Sequence, residues 1–138
     1  MRVKCLTSSI DQLKDIAVRN RLSEWIHLDG PDDNLIIGKC YPVIALMGDT
    51  IDGFKVCLHT VDKSDYPYPY PIEFFEVIDS TFPDNSCIGV EQGPSGKYGI
   101  RISFAEWAND DQFYERLVDG EEKAMLIYNK HKVEYLSI

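Results

Sequence analysis

Cys57-Leu58-His59 places a thiol and an imidazole two residues apart, so that on a strand both project from one face. Such a pair can begin a metal site or a Cys–His nucleophile. Zinc asks for four protein ligands in a structural site, or three plus water in a catalytic one. The other cysteines (Cys5, Cys40, Cys87) and histidines are scattered singly, and no spacing closes a ligand set. No metal is therefore expected, and the pair reads as a core cysteine beside a surface histidine. A nucleophilic thiol, from Cys57 or from Cys87 with a distant histidine, also needs an electropositive setting that lowers its pKa. Both cysteines stand in the most acidic part of the chain, which works against a thiolate.

Carboxylate pairs such as Glu73 with Glu76 and Asp110 with Asp111 are numerous. Acid–base hydrolysis needs two acids across a cleft with separated pKa values, and mere abundance does not single out a pair. Asp110 and Asp111 already have a local use at the start of a helix. Gly89, Gly93, Gly96 and Gly99 cluster, but Gly93-Pro94-Ser95-Gly96 is a turn signature. It lacks the Lys-Ser/Thr of a phosphate loop and the dinucleotide fingerprint. No cofactor is expected.

The most distinctive local feature is Tyr66-Pro67-Tyr68-Pro69-Tyr70-Pro71. Its prolines fix φ, remove three amide donors and hold each preceding tyrosine extended. Such a segment belongs at a sheet edge or in a loop, never in a central strand. Its rings can finish a core, or they can stand as a pre-ordered row for a partner. Both uses are open, and different tyrosines can serve each.

The chain that must position these residues has 138 amino acids, 44% apolar and 27% charged, the profile of one ordinary folded domain. Its unusual property is charge: 23 Asp and Glu against 14 Lys and Arg, a net of −9. That argues against nucleic acid and anionic membranes as partners and favours fast capture of a basic one. The excess is local. Residues 1–28 are net +2 and 97–138 are net −2, whereas 29–96 carry three bases and twelve acids. The candidate partner-binding residues therefore come from this central segment: Asp49, Asp52, Asp62, Asp65, Tyr66, Tyr68, Tyr70, Glu73, Glu76 and Asp79. There is no targeting segment and no apolar run long enough to span a bilayer, so a cytoplasmic protein with reduced cysteines is expected.

Local patterns give an α+β chain. Ser9 and Gln12 have capping-box spacing, and Ile10, Leu13, Ile16 and Ala17 follow a helical period, predicting a helix over about 10–22. Residues 30–34 form a loop by composition. Lys39–Met47 and Phe54–Val61 read as strands joined by the turn residues 48–53. Asp62–Pro71 is a polar, proline-rich crossing, and Phe74–Ile78 and Lys97–Phe104 are further strands. Asp110 and its neighbours open a helix through Phe113 and Leu117 that Gly120 stops. A last helix is capped by Asp119 and Glu122 and carries Lys130, His131 and Lys132 toward its end. The expected core is Trp25, Tyr41, Val43, Phe54, Val56, Phe75, Val77, Ile102, Phe104, Trp107, Phe113 and Leu117.

The run Leu35-Ile36-Ile37-Gly38-Lys39-Cys40-Tyr41-Pro42-Val43, a hairpin, and then Tyr70-Pro71-Ile72-Glu73-Phe74-Phe75-Glu76-Val77-Ile78-Asp79 resembles the core of a small SH3-like barrel. With Phe113-Tyr114-Glu115-Arg116-Leu117-Val118-Asp119-Gly120 it resembles, over residues 35–128, the small acidic bacterial immunity proteins of polymorphic-toxin and contact-dependent growth inhibition systems. The resemblance implies a strongly bent antiparallel sheet with one N-terminal and two C-terminal helices. It also implies a cytoplasmic, non-enzymatic protein that neutralises the C-terminal domain of a cognate toxin, commonly a basic nuclease. It carries over no catalytic residue and no contact position. Two other classes remain: a peptide-binding adaptor using the tyrosine–proline tract or a barrel groove, and a small acid-dependent hydrolase.

Overall fold

A computed structural model of the chain describes residues 1–24, 32–61 and 64–137. Seven strands form one sheet: β1 (Arg2–Cys5), β2 (Cys40–Asp49), β3 (Gly53–Leu58), β4 (Tyr68–Pro71), β5 (Phe75–Asp79), β6 (Ser86–Gln92) and β7 (Tyr98–Phe104). Every pairing among them is antiparallel. Four α-helices accompany the sheet: α1 (Ile16–Ser23), α2 (Ala105–Ala108), α3 (Phe113–Val118) and α4 (Glu122–Leu136). The chain is thus α+β with an antiparallel sheet, as its patterns predict. Trp25, Asp62 and part of the 30–34 loop lie outside the described residues.

The long strand β2 organises the sheet. On one side it pairs with β3 along most of its length. On the other it borders β1 at residues 40–42 and β7 at 46–49. Five strands run in the order β4-β3-β2-β1-β5, and β6 is attached beyond β7. A register shift in the β2–β3 ladder leaves Ile44 as an extra residue, between Val43 opposite Leu58 and Ala45 opposite Cys57. Such a bulge bends a strand and re-aims its side chains. Here it turns Ile44 and Ala45 to the same side, away from Val43.

The β2–β3 pair is consequently buried on both faces, which is why its sequence reads as a nearly continuous apolar run. Val43, Val56 and Leu58 join a first core with Val3, Cys5, Tyr41, Tyr70, Phe74 and Phe75. Ile44, Ala45 and Cys57 join a second, built with Phe104, Trp107, Phe113, Leu117, Tyr128 and Tyr135 from β7 and the C-terminal helices. Each large side chain so enclosed stabilises the fold by about 1.5–3 kcal/mol. Tyr41, Val43, Val56, Phe75, Phe104, Trp107, Phe113 and Leu117 are core residues as expected. Val77 is not: it sits on β5, which among the described residues pairs with β1 alone, and it stays 44% exposed. Phe54 and Ile102 are half-buried.

Capping explains where the helices depart from the sequence reading. The expected helix over 10–22 is divided. Ser9 accepts from the Asp11 amide and starts only a 3-10 turn (Ile10–Gln12), after which Leu13 is extended. Gln12 does not close a capping box, because its amide oxygen accepts from the Thr7 hydroxyl instead. Asp15 caps α1, accepting from the amides of Ala17 at 2.9 Å and Val18 at 3.2 Å. At the C-terminal end of α3, Gly120 (φ +77°) stops the helix as predicted. The Glu121 amide donates to Arg116 O and that of Gly120 to Leu117 O, the paired bonds of a Schellman ending. Asp119 is spent in that ending, so it does not cap α4, whose first residue follows Glu121 without a side-chain cap. The C-terminal part holds three helices where two are expected: the additional α2 is a single turn directly after β7.

Candidate interaction surface

Most of the described candidate acids lie beside a base. Asp49 lies 3.2 Å from Lys97, and Asp52 lies 3.2 Å from the same ammonium. Burial pushes the Asp49 carboxyl up. The amides of Asp52 and Ile51 and the Lys97 ammonium outweigh it, so the net shift is downward. Glu73 pairs with Arg21 at 2.5 Å. On β5, Glu76 lies opposite Lys4, and Asp79 lies opposite Arg2. Hydrogen bonds from Thr81 hold the Asp79 carboxyl below the usual range. Bases from the N-terminal segment and Lys97 thus stand beside five of the seven candidate acids. Asp65 is exposed, and Asp62 lies outside the described residues.

The tyrosine–proline tract is a splice between the two cores. Tyr70 is only 4% exposed, its hydroxyl lies 3.0 Å from Thr60 Oγ1, and burial pushes its pKa up to about 12. Tyr68 packs against the first core and Tyr66 against the second, with their rings edge-on at 5.3 Å. The Tyr114 hydroxyl donates to Pro67 O at 2.8 Å, and its ring stacks on Trp107. The tract therefore tethers the C-terminal helices to β4.

Cys57 is completely enclosed, and desolvation drives its thiol far above the ordinary range, the opposite of an activated nucleophile. His59 Nδ1 lies 3.0 Å from the Tyr128 hydroxyl. Among the described residues, no three His, Cys, Asp or Glu side chains are grouped to hold a metal ion.

A different surface emerges at the β6–β7 ribbon. The turn residues Gly93-Pro94-Ser95-Gly96 connect these strands, with Ser95 and Gly96 at positive φ. Directly opposite residues in an antiparallel pair share a face. Ile88 faces Ile102, Val90 faces Ile100, and Gln92 faces Tyr98. This sets four β-branched side chains side by side, with Ile88 65% and Val90 63% exposed. Single exposed apolar residues are ordinary, but a contiguous row on a sheet face marks a contact surface.

The reverse side of the ribbon is anchored. A Cβ on Gly89 would stand 1.7 Å from Ala108 O, so only glycine lets α2 approach β6 this closely. Arg101 Nε donates to the same carbonyl at 3.1 Å, and its Nη1 reaches Glu91 Oε1 at 2.5 Å. Beyond it an open groove of about 650 Å³ is lined by Lys55, Lys97 and Arg101 and by Asp49, Glu91 and Asp111. Three bases against three acids give it no preference for an anion or a cation. Further acids stand around the ribbon. Asp84 precedes β6, Glu134 reaches Asn85 Nδ2 at 3.4 Å, and two acids share Lys97.

No strand is expected over residues 86–92 from the sequence, so this surface is missed there. The signal was present: a glycine–proline turn with Lys97–Phe104 after it calls for an antiparallel partner before it, and Ile88 and Val90 alternate as a strand requires. No family model, curated protein or solved structure matches this chain.

Proposed function

We propose that this chain binds and neutralises a basic protein partner, a cognate bacterial toxin domain, through the β6–β7 ribbon and without catalysis. The observation that carries the proposal is the apolar row of exposed Ile88 and Val90 beside half-buried Ile100 and Ile102, on a strand pair bordered by acids, in a chain of net charge −9. Apolar contact provides affinity, and the acids provide steering toward a basic surface. The immunity reading adds the identity of the partner, and a basic nuclease is the target such a surface suits. It places the protein in the cytoplasm; no helix among the described residues is long and apolar enough to cross a membrane.

The finer fold reading belongs to the same proposal. The five strands β1–β5 are an SH3-like barrel core, with the β6–β7 ribbon and C-terminal helices added to it. Three features support this: β2, β3 and β4 follow as a meander, a 3-10 turn (Ile72–Phe74) joins β4 to β5, and β5 returns antiparallel onto β1.

The test is gel filtration of this chain with the toxin domain encoded by the adjacent reading frame, at low salt. A stable complex is expected, and Ile88→Lys with Val90→Lys should abolish it. Charge reversal at Asp84 and Glu134 should slow association about tenfold and flatten its salt dependence. No complex at low salt overturns the proposal.

A further inference from the structure

The backbone of β6 identifies how the partner is held. In an antiparallel ladder, opposite residues alternate between pairs that exchange both backbone hydrogen bonds and pairs that exchange none. The Gly93 amide donates to Lys97 O at 2.7 Å, which fixes the phase of the β6–β7 ladder. The neighbouring pair Gln92–Tyr98 is then of the other kind. Consistently, Tyr98 turns away from β6, with its carbonyl accepting from the Thr50 amide at 3.1 Å. Counting down the register, Glu91 and Gly89 bond to β7, while Val90 and Ile88 direct their N–H and C=O groups outward. Among the described residues β6 pairs with β7 alone, so these groups form an open edge. The same two residues carry the most exposed large apolar side chains of the ribbon.

We infer that β6 accepts an added strand, an extended segment of a basic protein partner whose backbone bonds to the N–H and C=O groups of Ile88, Val90 and Gln92. This rests on the reading of the chain as a binder of a basic protein and specifies the mode. The partner's composition follows from the two faces. Residues of the added strand that stand beside Ile88 and Val90 meet apolar surface and should be β-branched. Those in between lie on the side of Glu91 near the turn, with Asp84 and Glu134 at the opposite end of β6, and should be Lys or Arg. A second copy of this chain carries the same net charge of −9, which disfavours it as the occupant.

The probe is the peptide Lys-Val-Lys-Val-Lys-Val-Lys titrated into the intact chain up to millimolar concentration, followed by amide NMR, with Glu-Val-Glu-Val-Glu-Val-Glu as the control. Saturable shifts at Ile88, Val90 and Gln92 are expected with the basic peptide only, together with at least tenfold slower hydrogen exchange of the Ile88 and Val90 amides. Val90→Pro removes one outward donor and leaves the bonds to β7 intact, so it should weaken binding at least tenfold more than Val90→Ala. Equal weakening by the two variants overturns strand addition, as does the absence of any shift or protection. If Val90→Pro does not fold, the exchange measurement on the native chain decides. If the peptide fails while the toxin domain still forms a complex that Ile88→Lys abolishes, only the mode is wrong. Failure of both removes the binding reading itself.

Discussion

Two edges of one sheet are finished in opposite ways. The edge strand β4 pairs Tyr68 and Tyr70 with Leu58 and Val56, and it places Pro69 and Pro71 at the positions that face outward. Proline has no donor to offer there, and both tyrosines are drawn into packing, so this edge cannot recruit another strand. The edge strand β6 has the same alternation with the opposite chemistry. Its outward amides include those of Ile88 and Val90, whose apolar side chains are exposed, and it contains neither proline nor lysine. Natural sheets protect their edges, so the contrast between β4 and β6 supports the reading of β6 as a contact surface.

The largest effect should come from closing the space that anchors β6. Gly89→Ala puts a methyl group into Ala108 O and C, backbone atoms that cannot turn aside, and should cost about 2–4 kcal/mol in thermal or denaturant unfolding. Near-native stability would show that α2 does not hold the ribbon. Next is a pair of proline substitutions one residue apart. Glu91→Pro removes an amide bonded to β7 and should cost about 3 kcal/mol, whereas Val90→Pro should cost about 1 kcal/mol or less. Equal costs in urea unfolding would break the distinction between inward and outward amides on β6.

A smaller effect tests the clamp at the far end of the ribbon. The Asp49 carboxyl has its pKa lowered on folding by the Asp52 and Ile51 amides and by Lys97. Its contribution is therefore present above the unfolded value of about 3.9 and is lost as pH falls from there through the folded value. Asp49→Asn should cost about 1 kcal/mol at neutral pH and flatten the acid limb of the stability profile below about pH 4. An unchanged acid limb would sink this assignment. Smallest in stability is Pro69→Val with Pro71→Val, within about 1 kcal/mol. Opening β4 in this way should produce concentration-dependent self-association in sedimentation experiments, which native β4 resists.

Much of the local architecture is legible without coordinates. The β2–β3 hairpin follows from two apolar runs around Gly48–Gly53, and Gly120 ends α3 because a left-handed position favours glycine. The helix at 10–22 misleads because periodicity does not show which of two caps wins; Thr7 captures Gln12, and Asp15 starts the real helix. Val77 has the composition of a core strand, yet on β5 it stays exposed.

The charge divides the two kinds of information most clearly. The sequence by itself determined that acids predominate, that they concentrate between residues 29 and 96, and that the tyrosine–proline tract must lie at an edge or in a loop. Such conclusions need only composition and the stereochemistry of single residues. The sheet order decided that Arg21 meets Glu73, that Lys97 meets Asp49 and Asp52, and that the partly exposed apolar row falls on β6 and β7 instead of the tyrosines. The ion-pair partners lie 45 to 52 residues apart in the chain. Nothing in a local period encodes such pairings, because they follow from which strands become neighbours and how the bulge at Ile44 turns them.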